Sequence, residues 1–238
     1  MREAFQHELV GIRDLLIEMA VKAGAAMNTA THAMLNADLG EAQAVIDGDD
    51  ALDDLTGRIE WACYDAVARQ QPVARDLRLV VSSLQISSSL ERMGDLADHV
   101  AKLTRMRHPQ ASIPEDVRPM LAQMGAVADR MATRAASLLK SADLAEATEI
   151  LAMDDQMDQI HRDLFTAVLA PTWTHGVKAA IDTTLMSRYY ERYADHSVAV
   201  ARRVIQMVTG ESFSQTDAAD QAAAPATHSA PASGPTGS

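Results

Sequence analysis

Residues 91–95 of this chain read Glu-Arg-Met-Gly-Asp, and residues 191–195 read Glu-Arg-Tyr-Ala-Asp. The two stretches are separated by a constant offset of 100 residues (191 minus 91). Self-similarity at a fixed spacing is typical of folds built from repeated units. The sequence therefore predicts an internal duplication, with one copy of the motif at the same place in each half.

Apolar side chains recur on both sides of the motifs at steps of three and four residues, the spacing of one face of an α-helix. The first half is divided into three helical runs by Asp38-Leu39-Gly40 and by Pro72. The third run extends from about Val73 to Arg107. The second half repeats the plan, with runs at about 115–140, 144–169 and 177–208. The pattern predicts an all-α fold of two tandem three-helix bundles related by internal duplication.

Two proline-containing segments divide the chain. Residues 108–114 hold Pro109 and Pro114 and are predicted to form a connector between a first bundle, residues 1–107, and a second bundle, residues 115–210. Residues 211–238 consist mostly of Ala, Pro, Ser, Thr and Gly. Such a segment buries too little apolar surface to offset the entropy of ordering the chain, so we predict a disordered tail.

Composition and charge exclude several classes of protein. Cys63 is the single cysteine, so neither an internal disulfide nor a cysteine zinc site is available. A formal net charge of -12 argues against binding to nucleic acid, whose phosphates it would repel. The sequence has no export signal and no apolar run of about 18 residues, the length that spans a bilayer. We expect a cytoplasmic protein that meets the membrane only through partners.

Paired acids on the predicted second and third helices of each half are the strongest candidates for a functional site. Residues four apart stack on one helical face, where two carboxylates repel each other unless a cation lies between them. Carboxylate oxygens are hard ligands that suit Mg²⁺, Mn²⁺, Ca²⁺ or iron, and Zn²⁺ also accepts them. The candidate metal ligands are Asp50, Asp54, Glu91, Asp95 and Asp98 in the first half, and Asp154, Asp158, Glu191 and Asp195 in the second. Solvated acidic stripes without a metal are the alternative interpretation.

Residues 71–78 (QPVARDLR), 90–95 (LERMGD) and 191–195 (ERYAD) together resemble the PhoU family. The resemblance covers residues 1 to about 210 and includes the duplication. It implies tandem three-helix bundles, often dimeric, with metal ions at the paired acids of some members. It also implies a regulator that shuts off the phosphate regulon, by contacting the ATPase of the phosphate ABC transporter and its sensor histidine kinase. His99 and Ala199 stand where many members have Asn.

A di-metal carboxylate enzyme on a helical bundle is the second hypothesis, since such enzymes also place acids on facing helices. These enzymes use Glu-x-x-His pairs, and no Glu in this chain is followed by His at that spacing. The chain also has no phosphate-binding glycine loop and no nucleophile elbow. We therefore expect a protein that is not an enzyme, with a metal-free helical adaptor as the third hypothesis.

Overall fold

The computed structural model describes residues 2–210, with side chains from Phe5 onward, and all regular structure in that range is α-helical. The all-α fold class predicted from the sequence is confirmed. Seven helices follow one another along the described chain: α1 (Arg2–Asn36), α2 (Leu39–Asp47), α3 (Asp50–Gln70), α4 (Ala74–Arg107), α5 (Arg118–Ser141), α6 (Leu144–Leu169) and α7 (Gly176–Thr209). The predicted tail, residues 211–238, lies outside the described residues.

The second helix of the first half is broken in two, which the apolar spacing does not predict. α2 ends at Asp47 and α3 begins at Asp50, with Gly48 and Asp49 between them. The backbone N–H of Gly48 donates to two carbonyls of the last turn of α2. Glycine in a helix interior costs about 1 kcal/mol relative to alanine, so the break falls where a continuous helix is weakest.

Four helices form the centre of the molecule. α4 packs against α1 and α7, and α5 packs against the other sides of α1 and α7. α3 covers the α1–α4 pair, and α6 covers the α5–α7 pair. The buried apolar side chains of both halves form one continuous cluster. Tyr190 illustrates the shared core, because it is fully buried and its hydroxyl lies 2.7 Å from the hydroxyl of Thr31 on α1.

α4 and α7 run antiparallel. At one end of the pair, the guanidinium of Arg107 donates two hydrogen bonds of 2.7 Å to the buried carboxylate of Asp182. At the other end, Gly210 lies against the guanidinium of Arg78. The end of each helix therefore lies beside the beginning of the other, as expected for two copies related by a pseudo-two-fold axis.

The internal duplication is visible in the burial of the two long central helices. Residues 81–90 and 181–190 show the same order of buried, half-buried and exposed positions. Both segments lead directly into the repeated acidic motifs. None of the helices in residues 2–210 carries an apolar stretch long enough to cross a bilayer.

Candidate functional site

The first candidate site lies in the groove between α3 and α4, which we call the first groove. Asp49, which directly precedes α3, and Asp53 on its first turn carry charges that act on the acids of α4. We call these five residues the first acidic cluster: Asp49, Asp53, Glu91, Asp95 and Asp98. The acids of α3 are 38 or more positions away in sequence from those of α4. They come near each other because α3 and α4 pack side by side.

Mutual repulsion affects the acid–base properties of this cluster. Partial burial raises the pKa of Glu91, and the negative charges of Asp95, Asp53 and Glu60 raise it further, against the opposing charge of Arg92. Burial is also the main cause that raises the pKa of Asp49, followed by neighbouring carboxylates of the cluster. Carboxylates this close therefore destabilise one another in the ionised state.

Asp98 is the most buried acid of the first cluster, with 3% of its surface exposed. One carboxylate oxygen is paired with Lys102, one turn further along α4. The other, Oδ1, is buried without a hydrogen-bond partner among the described residues. A buried acceptor without a partner costs about 1–3 kcal/mol, so this oxygen is a position where an added donor or cation would stabilise the protein.

The second candidate site is the equivalent groove between α6 and α7, which we call the second groove. Burial raises the pKa of Asp154 from an ordinary 3.8 to about 6, and the charges of Asp158, Asp195 and Asp155 contribute. The pKa of Glu191 is raised by burial and by Asp195. These residues form the second acidic cluster: Asp154, Asp155, Asp158, Glu191 and Asp195.

Arginines also lie beside the acids of the second cluster. Arg188 forms an ion pair with Glu191, and Arg162 lies 3.5 Å from Asp158. The positive charge of Arg202 also acts on Asp154 and opposes the rise of its pKa. The second groove therefore carries its own counter-charges.

His196 lies between the two clusters. Burial lowers its pKa, and the charges that act on it come from Arg192 and Asp195 on its own helix and from Arg92 and Asp95 on α4. Asp95 of the first cluster and Asp195 of the second therefore lie near the middle of the α4–α7 pair.

The structure brings together seven of the nine predicted site residues and separates two from the rest. Glu91, Asp95 and Asp98 form part of the first cluster, and Asp154, Asp158, Glu191 and Asp195 form part of the second. Asp50 and Asp54 are exposed and are not among the charges that act on Asp49 or Glu91. Asp49 and Asp53 take the positions that were predicted for Asp50 and Asp54.

The rotation of α3 is the physical reason for this correction. Leu52, Leu55 and Ile59 are buried and fix which face of α3 meets the core. With those residues inside, Asp49 and Asp53 lie on the flank next to α4, whereas positions 50 and 54 lie opposite the core. A signal for this was present in the sequence, because Asp-Asp-x-x-Asp at residues 49–53 aligns with the same pattern at residues 154–158.

The two clusters offer donors of the right chemistry for a hard cation but not a ready-made ligand set. Among residues 2–210, no three His, Cys, Asp or Glu side chains lie close enough together to hold one metal ion. Arg92 donates a hydrogen bond of 2.6 Å to Asp95, and Lys102 pairs with Asp98. Metal binding would therefore have to displace these two cations and rotate carboxylates inward.

The family model described as "PhoU domain" matches residues 16–104 and again residues 121–204. Each match spans one half of the duplication and contains one acidic cluster. The chain belongs to the PhoU family. The two tandem matches also account for the repeat of the motif at residues 91–95 and 191–195.

Several relatives and a solved structure are similar to the chain over almost its whole described length. "Phosphate-specific transport system accessory protein PhoU homolog 2" from Mycobacterium tuberculosis is 46% identical and is matched over 88% of this chain and 99% of its own length. The PhoU homolog 1 from Mycobacterium leprae is 44% identical, over 91% of this chain and 97% of its own length. The crystal structure of the phosphate transport system regulatory protein PhoU from Streptococcus pneumoniae has a TM-score of 0.80 at 24% identity, covering 88% of this chain and 99% of that one. The last comparison concerns the fold alone.

Proposed function

We propose that this chain is a regulatory accessory protein of a phosphate-specific transport system, and that it represses phosphate uptake and phosphate-starvation genes when phosphate is plentiful. The observation that carries the proposal is the 46% identity to the M. tuberculosis accessory protein over 99% of that protein's length. A match of this extent leaves no additional domain in the relative to account for its accessory role.

The proposed mode of action is binding rather than catalysis. The partners are the ATPase of the phosphate ABC transporter and the sensor histidine kinase of the phosphate regulon, both approached from the cytoplasmic side. Two grooves of the same construction, each with exposed apolar and acidic side chains, support an interaction role. A homodimer is part of the proposal, and sedimentation velocity of the purified chain tests it.

We include metal binding at the acidic clusters in the proposed function. Hard oxygen ligands, raised pKa values of Glu91 and Asp154 and the unpartnered Oδ1 of Asp98 all favour an added cation. The candidates are Mg²⁺, Mn²⁺, Zn²⁺ and iron. Elemental analysis after native purification should detect bound metal in the wild-type chain and a loss in Glu91→Ala, Asp95→Ala. Equal, negligible metal in both proteins would remove this part of the proposal.

Deletion of the gene tests the regulatory role directly. Cells without the protein should express phosphate-starvation genes in high phosphate, measured by alkaline phosphatase output and by phosphate uptake. A plasmid copy of the gene should restore repression. Normal repression in the deletion strain would refute the assignment.

A pull-down with the tagged chain tests the proposed partners. It should recover the transporter ATPase or the sensor kinase from cells grown in high phosphate. Recovery of neither, with repression still lost on deletion, would leave the accessory role in place and refute direct contact with these partners.

A further inference from the structure

An apolar pocket of about 580 Å³ lies where α6 ends and α7 begins, and we call it the α6–α7 pocket. Val168 and Leu169 on α6 line it, together with Trp173 in the loop and with residues of the first three turns of α7. None of the lining residues is charged. The pocket is large enough to receive apolar side chains of another molecule, and the acidic clusters do not use it.

Exposed apolar side chains form the rim of this pocket. Leu169 and Val177 are 77% and 76% exposed, and Ile181 and Leu185 on the next turns of α7 are 53% and 39% exposed. Single exposed apolar residues are ordinary on protein surfaces, but four around one pocket are typical of an interaction site. This end of the molecule therefore offers both an apolar cavity and apolar side chains that project beside it.

The loop wall of the pocket is held in place within the chain. The indole of Trp173 donates a hydrogen bond of 3.1 Å to the backbone carbonyl of Gly176. The same ring packs edge-on against His175, whose Nε2 lies 3.0 Å from the carboxylate of Asp116. A wall that is already ordered lowers the entropy cost of binding, so the pocket is prepared for an occupant.

Charged residues are scarce at this end of the molecule. Residues 164–187 contain only two Asp, Glu, Lys or Arg residues, Lys178 and Asp182. Asp182 is buried and bound by Arg107, which leaves Lys178 as the exposed one. The equivalent segment of the first half, residues 64–87, carries five: Asp65, Arg69, Arg75, Asp76 and Arg78. The duplication has therefore produced one charged segment and one that is nearly without charge.

We infer that the α6–α7 pocket binds the same end of a second copy of this chain, in a dimer with two-fold symmetry. Such a dimer places the same patch of both copies face to face, so the patch must complement itself. A cavity next to projecting side chains meets this requirement, because Leu169 or Val177 of each copy can enter the pocket of the other. The inference assigns a surface to the homodimer of the proposed function and rests on that proposal for its biological role.

Charge favours a second copy over an unrelated protein as the occupant. Two chains of net charge -12 repel each other, and the repulsion is weakest where the surfaces in contact carry the fewest acids. Recognition of a different protein commonly uses complementary charges, and this segment exposes only Lys178. The long side chain of Lys178 can keep its ammonium group in water beside the apolar contact.

The size of the surface also suits a dimer. Of residues 165–185, all but Asp182 and Thr183 are exposed or half-buried. A standard interface takes about 20–30 residues from each partner, and this segment approaches that number. The end of α6, the loop and the start of α7 can therefore supply most of one side of the interface.

Sedimentation velocity of the full chain, in buffer with EDTA, tests the inference. Over roughly a hundredfold range of concentration, mass action should convert monomer into a dimer of twice the 25.7 kDa chain mass. Val177→Ser with Ile181→Ser should raise the dissociation constant of the dimer by about tenfold or more, which corresponds to about 1.4 kcal/mol. The equivalent pair in the first half, Leu77→Ser with Val81→Ser, is the control and should change it by less than about twofold. All four positions are exposed, so these variants should fold, and thermal melting checks that they do.

Ala180→Leu separates insertion into the pocket from non-specific apolar contact. Ala180 is half-buried and lines the pocket, so a leucine there fills part of the cavity while it adds apolar surface. Insertion of a side chain from the second copy predicts a dimer weaker by about tenfold or more. Non-specific contact predicts a dimer of equal or greater strength. Leucine is a good helix former, so the variant should keep its helices.

Four results would overturn the inference. The first is a chain that stays monomeric over the whole concentration range, since another molecule would then be the occupant. The second is a dimer that Val177→Ser with Ile181→Ser leaves unchanged, and the third is an equal loss in the first-half control. The fourth is a tighter dimer with Ala180→Leu. Sedimentation does not depend on the deletion phenotype, so failure of the dimer surface and failure of the regulatory role are distinguishable.

Discussion

At the scale of single residues, Asp154 is the acid whose environment changes its properties most. Its pKa of about 6 means that the folded protein binds a proton more readily there than the unfolded chain, whose value is near 3.8. Between these two pH values the folded state holds more protons, so the free energy of unfolding falls as pH rises through this window. Ionisation of Asp154 therefore lowers the free energy of unfolding, with its full effect above about pH 6 and no effect below about pH 4.

Asp154→Asn should stabilise the protein at neutral pH, because it removes the buried charge and its repulsion by Asp158 and Asp195. Allowing for partial solvent screening, we expect a gain of about 1–2 kcal/mol at pH 7.5 and no gain at pH 4. Urea denaturation in buffer with EDTA, which keeps metal ions away from the second cluster, measures it at the two pH values. The exposed Asp14→Asn on α1 is the control, expected to change stability by less than about 0.5 kcal/mol at either pH. A loss of stability at pH 7.5 would show that Asp154 is held by favourable contacts instead.

The sequence predicted the acids of α4, α6 and α7 because the repeated motif fixes their register. On α3 the prediction named Asp50 and Asp54, whereas Asp49 and Asp53 are the acids whose charges act on those of α4. A run of four acids within six residues offers two pairs of equal spacing, and only the rotation of the helix selects between them. That rotation depends on which side chains of α3 are buried in the core. The spacing of the acids along α3 does not determine this.

At the scale of helices, α1 and α5 meet through small residues. A Cβ placed on Gly24 of α1 would lie 2.8 Å from the Cβ of Ala132 on α5. Neither atom can rotate away, so the two helix backbones owe their close approach to the missing side chain. Near this contact, Asn28 donates a hydrogen bond of 3.1 Å to Asp129, which holds the same two helices in register.

Gly24→Ala should destabilise the protein although alanine favours helix. Overpacking of a core contact costs about 1–3 kcal/mol, and the gain in helix propensity returns about 1 kcal/mol, so a net loss of up to about 2 kcal/mol is expected. Gly11→Ala, on the same helix and with open space around it, should instead stabilise by up to about 1 kcal/mol. Thermal and urea unfolding of both variants give the comparison. Equal gains in the two would mean that α1 and α5 can separate without cost.

The apolar spacing predicted the helices well where chain breakers are strong. α6 is observed at its predicted bounds, Leu144–Leu169, and α4 differs from its prediction by one residue. The break between α2 and α3 was not predicted, because the apolar positions continue across Gly48. Gly48 weakens a continuous helix at this point, and α2 and α3 each pack on α4.

At the scale of the whole molecule, the two sequence repeats share their core. α1 of the first half packs against α5 of the second, and α4 packs against α7. The guanidinium of Arg118 on α5 also donates a hydrogen bond of 2.6 Å to the backbone carbonyl of Leu35 on α1. The predicted boundary at residues 108–114 separates the two sequence repeats. Pulling the two repeats apart there would expose the apolar faces of α1, α4, α5 and α7.

Residues 1–114 expressed alone should therefore lack a cooperative unfolding transition, whereas the full chain should unfold in one transition. Loss of the inter-repeat contacts removes α5 from α1 and α7 from α4, and exposed apolar surface favours a loosely packed state. Circular dichroism melting and amide chemical-shift dispersion measure the difference. Asp182→Ala in the full chain, which breaks the pair with Arg107, should lower the melting temperature without splitting the transition. An independent, sharp transition of residues 1–114 would contradict the shared core.

The antiparallel arrangement of α4 and α7 has a consequence for avidity. The exposed apolar residues at the start of α4 and at the start of α7, such as Leu77 and Val177, lie at opposite ends of the pair. A helix of 34 residues is about 50 Å long, so these two ends are about that far apart. In a dimer joined at the two Val177 ends, both Leu77 ends stay free, and a partner with two arms related by a two-fold axis can reach both at once. Its second contact would then be intramolecular, with a strength set by effective concentration rather than by the amount of partner in the cell.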